Sequence, residues 1–181
     1  LKSQGFVQMY AGRWRPWLAR GFNIGRGRPV EEIPDVDAIE REMDYVCGAS
    51  MLVRRSYIEA VGPMQEDYFL YAEEVDWCLR RGSYRLGYAH DSIVVHEQGA
   101  TIGTHADRRL RSGFSIFLDE RSKLLLTRRF YPRIYPLVAI AALMLTFQYL
   151  KARAYANFGH AISGWWAGLR GETGFPARFS P

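Results

Sequence analysis

The sequence is poor in the features that mark secreted and zinc-binding proteins. Only two of the 181 residues are cysteines, Cys47 and Cys78, so a disulfide framework is excluded, and both thiols are expected to be buried in a reducing compartment. The first residues lead into a polar, arginine-rich segment and not into the apolar stretch of a secretory signal. His90 and His96 have the widest spacing found in structural zinc sites, but no close pair of cysteines accompanies them.

Several signatures of catalysis and nucleotide binding are also missing. The sequence contains no nucleophile elbow of a Ser-His-acid enzyme and no Gly-x-x-x-x-Gly-Lys phosphate loop. The segment Gly25-Arg26-Gly27 lacks the preceding strand and the third glycine of a dinucleotide fingerprint. The sequence therefore gives no support to these three classes of protein.

What remains is an ordinary globular composition with an excess of basic residues. Hydrophobic residues make up 48% and charged residues 24%, and the length suffices for one domain with a core. The net charge of +5 favours anionic partners such as nucleotide diphosphates, acidic lipids or nucleic acids. A simple contribution to solubility explains the same charge equally well.

The most informative stretch, from Asp67 to Arg81, combines aromatic residues with three carboxylates. Val75, Cys78 and Leu79 recur at the spacing of one buried helical face. Acidic residues at the start of this segment and arginines at its end complement a helix dipole. The pattern predicts a helix that begins at the carboxylates.

The three carboxylates are expected to point in different directions from this helix. Glu73 is predicted to face water, opposite the apolar side, whereas Glu74 and Asp76 lie on the two edges of that side. A carboxylate held at the edge of a cleft is what a general base requires. The alternative is that these acids only stabilise the start of a helix.

Apolar segments and turn residues predict an α/β layered domain around this helix. The segment from Asp44 to Arg55 predicts a buried strand, and the segments 84–89 and 92–95 predict two more. A capping-box pattern predicts a short helix from Ser56 to Val61. Helices that alternate with buried strands are typical of α/β layers.

The flanking regions are predicted to be a long loop, a helix and a loose tail. Residues 13–42, rich in Arg, Gly and Pro, predict a loop, in which Trp14 and Trp17 either stack on a sugar or base or pack against the domain. Residues 114–130 predict a helix, and residues 171–181 a loose tail.

The longest apolar run, residues 137–150, is too short for a membrane span. Its 14 residues would reach roughly 21 Å as a helix, against a hydrocarbon core of roughly 30 Å. Two interpretations stay open: a helix at an anionic membrane surface and a helix folded onto the domain. The flanking residues that favour the first are Arg128, Arg129, Arg133, Lys151, Arg153, Trp165 and Trp166.

Three motifs in order resemble the C-terminal half of family 2 glycosyltransferases, especially their rhamnosyltransferase-like branch. They are Gly48-Ala49-Ser50-Met51-Leu52-Val53-Arg54-Arg55, Tyr71-Ala72-Glu73-Glu74-Val75-Asp76-Trp77-Cys78 and Val94-Val95-His96. The resemblance implies an α/β fold, namely a partial GT-A (nucleotide-diphospho-sugar transferase-like) layered domain. Residues 1–130 would form its acceptor-side half, and residues 131–181 a helical, membrane-interfacial extension.

The resemblance also implies a reaction and its residues. A sugar would pass with inversion from a nucleoside-diphosphate sugar to a saccharide or lipid-linked acceptor, as in cell-surface polysaccharide synthesis. Glu74 stands in the second acidic position of the family's Glu-Asp pair and would accept the proton of the acceptor hydroxyl, with Asp76 as the reserve base and Glu73 in support. The substrate-binding residues would be Gly48, Ala49, Ser50, Trp77 and Arg80.

Two positions depart from the family pattern. Glu74 replaces the usual Asp and adds one methylene of reach, and Ser122 replaces the usual Asn of an Arg-Asn pair. His96 would contact the diphosphate or a divalent metal, Mg or Mn, held mainly by an Asp-x-Asp motif in an N-terminal half that is expected outside this sequence. Without that half, and without an initiator Met, the chain is expected to be an inactive fragment.

Other functions and the location complete the expectations. The main alternative is a non-catalytic carbohydrate- or membrane-surface-binding module. Nucleic-acid binding through Arg13 to Arg28 is a weaker third possibility, and no nucleic acid is expected as a partner. The cysteines and the apolar run with its basic flanks predict a cytoplasmic location, with peripheral attachment at the inner face of the cell membrane.

Overall fold

A computed structural model describes residues 2–3, 5–96 and 107–179. The chain forms two compact units. The first unit comprises residues 1–15, 21–64 and 74–97, and the second unit comprises residues 16–20, 65–73 and 98–181. Helix and strand are mixed, which is compatible with the α/β class, although the strands are short. The division into an acceptor-side half, residues 1–130, and a C-terminal extension, residues 131–181, stays a prediction. It concerns function, whereas the compact units describe only packing.

Two small strand pairs open the chain. They are β1 (Lys2–Ser3) with β2 (Phe6–Val7), and β3 (Ala11–Arg15) with β4 (Arg20–Ile24). The predicted loop over residues 13–42 is therefore wrong. Gly12, just before this segment, and Gly21, within it, serve close packing: a Cβ added at Gly12 would lie 2.0 Å from Tyr45 Cζ, and one at Gly21 would lie 2.2 Å from Tyr45 Oη. Trp14 is buried, as the packing interpretation requires, whereas Trp17 is 62% exposed.

The three predicted strands at residues 44–55, 84–89 and 92–95 are wrong. The described part of the chain has no strand of two or more residues there, and Tyr45 makes only an isolated bridge with Gly12. A strand needs hydrogen-bonded neighbours along its length. Because these segments lack them, they are irregular, and Leu52 is fully exposed.

Three short helices complete the secondary structure around the predicted site. They are α1 (Val36–Glu42), α2 (Arg55–Val61) and α3 (Glu73–Leu79). The predictions of α2 and α3 are confirmed, and Gly62 follows α2 with a φ of 81°. The capping box does not form, because Glu59 pairs with Arg55 at 2.7 Å and Arg54 is the N-cap.

The second unit is mainly helical. It contains α4 (Gly113–Phe130), α5 (Tyr135–Thr146), α6 (Gln148–Lys151) and α7 (Tyr155–Arg170). The prediction of α4 is confirmed, and the apolar run 137–150 divides between α5 and α6. Helices α4 and α7 pack so closely that a Cβ added at Gly164 would lie 2.3 Å from the Phe117 carbonyl oxygen. Among the described residues, no helix has the length and apolar character needed to cross a membrane.

The C-terminal segment is ordered, so the prediction of a loose tail is wrong for residues 171–179. Residues Ala177–Phe179 form a 3₁₀ turn. The Phe175 ring lies 5.0 Å from Phe69, and the Phe179 ring lies 5.1 Å from Phe114, both edge to face. These aromatic contacts hold the tail, although its Gly and Pro content is typical of a loop.

Candidate active site

Glu74, the predicted base, lies in the first unit beside the first residue of the Gly-Ala-Ser motif. A Cβ added at Gly48 would lie 3.7 Å from Glu74 Cδ and 3.8 Å from its Cβ and Cγ. The side chain of Glu74 is half-buried. Glu74 therefore packs beside the backbone of Gly48, where the absence of a side chain leaves room for it.

Tyr45 and Cys78 share the surroundings of Glu74. Burial raises the pKa of the Tyr45 phenol, and the negative charge of Glu74 adds to this rise. Burial likewise raises the pKa of the Cys78 thiol, with a smaller contribution from Glu74. Both groups therefore stay neutral at pH 7.

Asp76, the reserve base, is fully buried and ion-paired. Its Oδ1 accepts from Arg80 Nε at 2.6 Å. Arg80 also donates from Nη1 to the Val61 carbonyl at 2.7 Å and from Nη2 to the Pro63 carbonyl at 2.8 Å. These contacts tie α3 to the end of α2 and direct both side chains towards protein groups. The catalytic role of Asp76 and the substrate-binding role of Arg80 stay predictions.

Trp77 is buried in a cluster of aromatic side chains. Its indole Nε1 donates to the Gly62 carbonyl at 2.8 Å, and its own carbonyl accepts from the Tyr57 hydroxyl at 2.6 Å. The Tyr57 ring lies 5.2 Å from the ring of Trp77 and 5.1 Å from that of Tyr84, edge to face in both pairs. Packing thus fixes Trp77 at one side of the groove described next.

A groove of about 810 Å³ lies within the first unit. Its aromatic lining consists of Tyr10, Tyr57, Trp77, Tyr84 and Tyr88. Of the predicted substrate-binding residues, Ser50 and Trp77 line this groove, and Gly48, Ala49 and Arg80 do not. Cys78 lines it as well, one helical turn after Glu74, so both side chains project from the same face of α3.

Glu73 belongs to the second unit, and its predicted direction towards water is wrong. Its Oε2 is buried and has no hydrogen-bond partner in the described structure. Burial raises the pKa of Glu73, and its own backbone N–H partly opposes the rise. The apolar spacing identified one packed face of α3 but could not show that Glu73 is also covered.

The backbone just before α3 is strained. Phe69, Tyr71 and Ala72 have φ values of 60°, 66° and 74°, a region that residues with side chains rarely adopt. The Tyr71 hydroxyl shares a hydrogen bond of 2.6 Å with Ser115 Oγ, which helps to hold this conformation. Strain of this kind is concentrated at functional sites. This strain could not be predicted from the sequence, because glycine is the usual marker of positive φ.

Residues of α4 support the same strained segment within the second unit. Arg121, fully buried, donates from Nη2 to the Tyr68 carbonyl at 2.8 Å, and Ser122 Oγ donates to the Leu70 carbonyl at 3.0 Å. Burial lowers the pKa of Arg121. Ser122, which replaces the family's usual Asn, therefore contacts the backbone directly before the acidic motif. Sequence reasoning assigned neither residue this task.

The described residues do not fit a resident divalent metal. No group of three or more His, Cys, Asp and Glu side chains among them is arranged to hold one. The carbonyl of His96 accepts from Gln8 Nε2 at 2.8 Å, and its metal or diphosphate contact stays a prediction. The sequence has one Asp-x-Asp pattern, Asp35-Val36-Asp37, in which Asp35 caps α1 by accepting from the Ala38 backbone N–H at 3.0 Å.

Comparison with known proteins gives one informative similarity. Over 146 residues the chain is 23% identical to the low-salt glycan biosynthesis hexosyltransferase Agl10 of Haloferax volcanii, in an alignment that covers 76% of this chain and 46% of that protein. The chain thus spans less than half the length of this relative. No family model and no solved structure matches this chain. The chain is therefore similar to part of a hexosyltransferase, which supports the broad class of glycosyltransferases.

Proposed function

We propose that this chain is the acceptor-side part of an inverting family 2 glycosyltransferase with a GT-A fold. The donor would be a nucleoside-diphosphate sugar and the acceptor a saccharide or a lipid-linked sugar. The similarity to a hexosyltransferase supports the class of enzyme. The inverting mechanism and the fold type rest on the three sequence motifs.

The position of Glu74 is the observation that carries this proposal. Its half-buried carboxylate lies beside Gly48, in the motif that also supplies Ser50 to the aromatic groove. Glu74 does not itself line the groove, but it lies on the α3 face that carries Cys78 into it. Partial burial in a fixed position is the setting in which a carboxylate can act as a general base.

The proposed step is a single displacement. The acceptor hydroxyl gives its proton to a carboxylate oxygen of Glu74 while its own oxygen forms a bond to the anomeric carbon of the donor. The bond from that carbon to the diphosphate breaks, and the nucleoside diphosphate leaves with the electron pair. Attack from the opposite side inverts the anomeric centre. Because the described residues do not fit a metal, none is assigned a part in this step.

The groove fits an acceptor sugar. Aromatic rings offer apolar faces to the C–H surface of a sugar ring, and neighbouring hydroxyl groups offer hydrogen bonds. Trp77 and Tyr84 supply rings, and Ser50 supplies a hydroxyl. The same lining favours the second candidate, a carbohydrate-binding module without catalysis, which would use the groove but not Glu74.

The experiment that separates the two candidates replaces Glu74 in the full-length protein. Glu74→Gln keeps the shape of the side chain but cannot accept a proton, so the release of nucleoside diphosphate from the donor should fall by about 10² to 10⁴. Glu59→Gln, a matched change on the exposed face of α2, should leave turnover unchanged.

Binding of the acceptor glycan is measured beside turnover. Unchanged binding with lost turnover in Glu74→Gln supports the enzyme. Near-normal turnover in Glu74→Gln contradicts the assignment of the base. Glycan binding that Tyr84→Ala weakens, together with no transfer from any nucleotide sugar by the native protein, would identify the binding module.

A further inference from the structure

Helix α5 exposes a continuous apolar stripe. Leu137, Ile140, Met144 and Phe147 are 62%, 60%, 63% and 43% exposed, and they follow each other at helical spacing along one side. The opposite side, with Val138, Ala139 and Ala142, is buried in the second unit. The helix contains no charged residue. A helix that is apolar all round is normally covered on every side.

The chain around this stripe is basic throughout. Residues 121–171 include eight arginines and lysines and not one aspartate or glutamate. Arg133, before α5, and Lys151 and Arg153, after it, are exposed. No ion pair within the described ranges 5–96 and 107–179 involves these three residues. The surroundings of the stripe therefore complement an anionic partner.

Exposed aromatic residues lie close to the same helix. The 3₁₀ turn Pro16–Leu18 packs against α5 and leaves Trp17 and Leu18 exposed by 62% and 46%. In α7, Trp165 Nε1 donates to the Ala139 carbonyl at 2.8 Å, while the neighbouring Trp166 stays 50% exposed. Tryptophan is enriched at the boundary between lipid and water, where its ring is apolar and its N–H remains hydrated.

We propose that the stripe of α5 binds the surface of an anionic lipid bilayer, with the helix axis parallel to the membrane. As a helix of 12 residues, α5 is roughly 18 Å long, well short of a bilayer core of roughly 30 Å. A second copy of the chain is the less favourable cover, because two faces without acidic residues would repel each other. This function goes beyond sugar transfer and does not depend on it.

The test measures binding to vesicles of two compositions, phosphatidylcholine alone and phosphatidylcholine mixed with phosphatidylglycerol. The native chain should sediment with the mixed vesicles at low salt, stay in solution with the neutral ones, and detach partly as salt rises. Its mass in solution, from light scattering, should be that of a monomer. No sugar donor is needed, so the result does not depend on catalysis.

Two double variants test the two parts of the surface. Ile140→Gln with Met144→Gln should weaken binding at least about tenfold, because it removes apolar area that would enter the lipid. Lys151→Gln with Arg153→Gln should weaken binding about fivefold per charge at low salt and little at high salt. All four side chains are exposed, so circular dichroism and the thermal midpoint should match the native chain.

Matched changes in the first unit control for general effects. Ile33 and Ile93 are 83% and 58% exposed, and Ile33→Gln with Ile93→Gln should leave vesicle binding unchanged. Arg26→Gln with Arg55→Gln removes as much charge as Lys151→Gln with Arg153→Gln does, and it should reduce vesicle binding less than that variant.

Three results would overturn the proposal. One is equal recovery with neutral and anionic vesicles. Another is vesicle binding that the double variants of α5 and of Lys151 with Arg153 weaken no more than the matched changes in the first unit do. The last is a dimer that the variant with Ile140→Gln and Met144→Gln dissociates, without vesicle binding, since the stripe would then be covered by a second copy.

Discussion

At the scale of single residues, two of the ion pairs in the first unit join residues four positions apart in opposite surroundings. Arg80 and Asp76 meet at 2.6 Å with side-chain exposures of 16% and 0%. Arg55 and Glu59 meet at 2.7 Å with exposures of 91% and 61%. Because water screens only the second pair, the two should differ in their contribution to stability.

The prediction is that Asp76→Asn lowers the free energy of unfolding by about 3 kcal/mol, since it leaves the charge of Arg80 without a counter-charge in a mostly buried place. Glu59→Gln, the exposed counterpart, should change it by less than about 0.5 kcal/mol. Urea unfolding followed by circular dichroism measures both. Equal effects of the two substitutions would show that burial does not matter here and would leave Asp76 available for another role.

At the same scale, the sequence could identify chemistry but not surroundings. The acidic motif and the Gly-Ala-Ser motif predicted that a carboxylate and a small residue matter, and the structure places Glu74 beside Gly48. The burial of Asp76 and of Glu73 Oε2 was not predictable, because each depends on residues distant in the sequence. Periodicity along one helix shows one packed face and nothing of what covers the others.

At the scale of elements, glycines set the approach of α7 to α4. Gly164 leaves room for the Phe117 carbonyl, while Gly159, in the same helix, has no atom within 4 Å of an added Cβ. Gly164→Ala should therefore destabilise the chain by about 1–3 kcal/mol, because the helices would have to move apart. Gly159→Ala should stabilise it by up to about 1 kcal/mol through helix propensity.

Thermal unfolding of both variants, followed at 222 nm, measures this difference. Gly159→Ala should unfold at the midpoint temperature of the native chain or above it, and Gly164→Ala should unfold clearly below it. Stabilisation by both substitutions would mean that the two helices do not pack this closely. That outcome would contradict the contact at Gly164 and leave the helix propensity argument intact.

Helices and strands also differed in how well the sequence predicted them. The predictions of α2, α3 and α4 are confirmed, because the spacing of apolar residues and the stop signals of a helix are local. The strand predictions are wrong, since pairing depends on other parts of the chain. Helix α7 lies in the region 131–181 that was predicted to be helical, but its bounds were not predicted, although Gly171, with a φ of 74°, ends it in a common way.

At the scale of the whole molecule, backbone hydrogen bonding is uneven. Helices α4 and α7 are 18 and 16 residues long and pack along each other. Among residues 46–54, all of which the structure describes, the backbone N–H of Ser50 alone donates to a backbone carbonyl of a described residue. Local stability follows such differences, because amides without partners exchange their hydrogen without unfolding of the molecule.

Hydrogen–deuterium exchange should therefore divide the chain. Amides of residues 46–54 should exchange within the earliest time points, whereas those in the middle of α4 and α7 should be the slowest of all. Mass spectrometry of peptic peptides resolves these segments, and the exposed N-terminus of α2 provides an internal comparison of intermediate protection. Slow exchange over residues 46–54 would show that this apolar segment is paired as a strand in solution. The strand that its sequence pattern predicts would then exist, and the irregular conformation described above would be wrong.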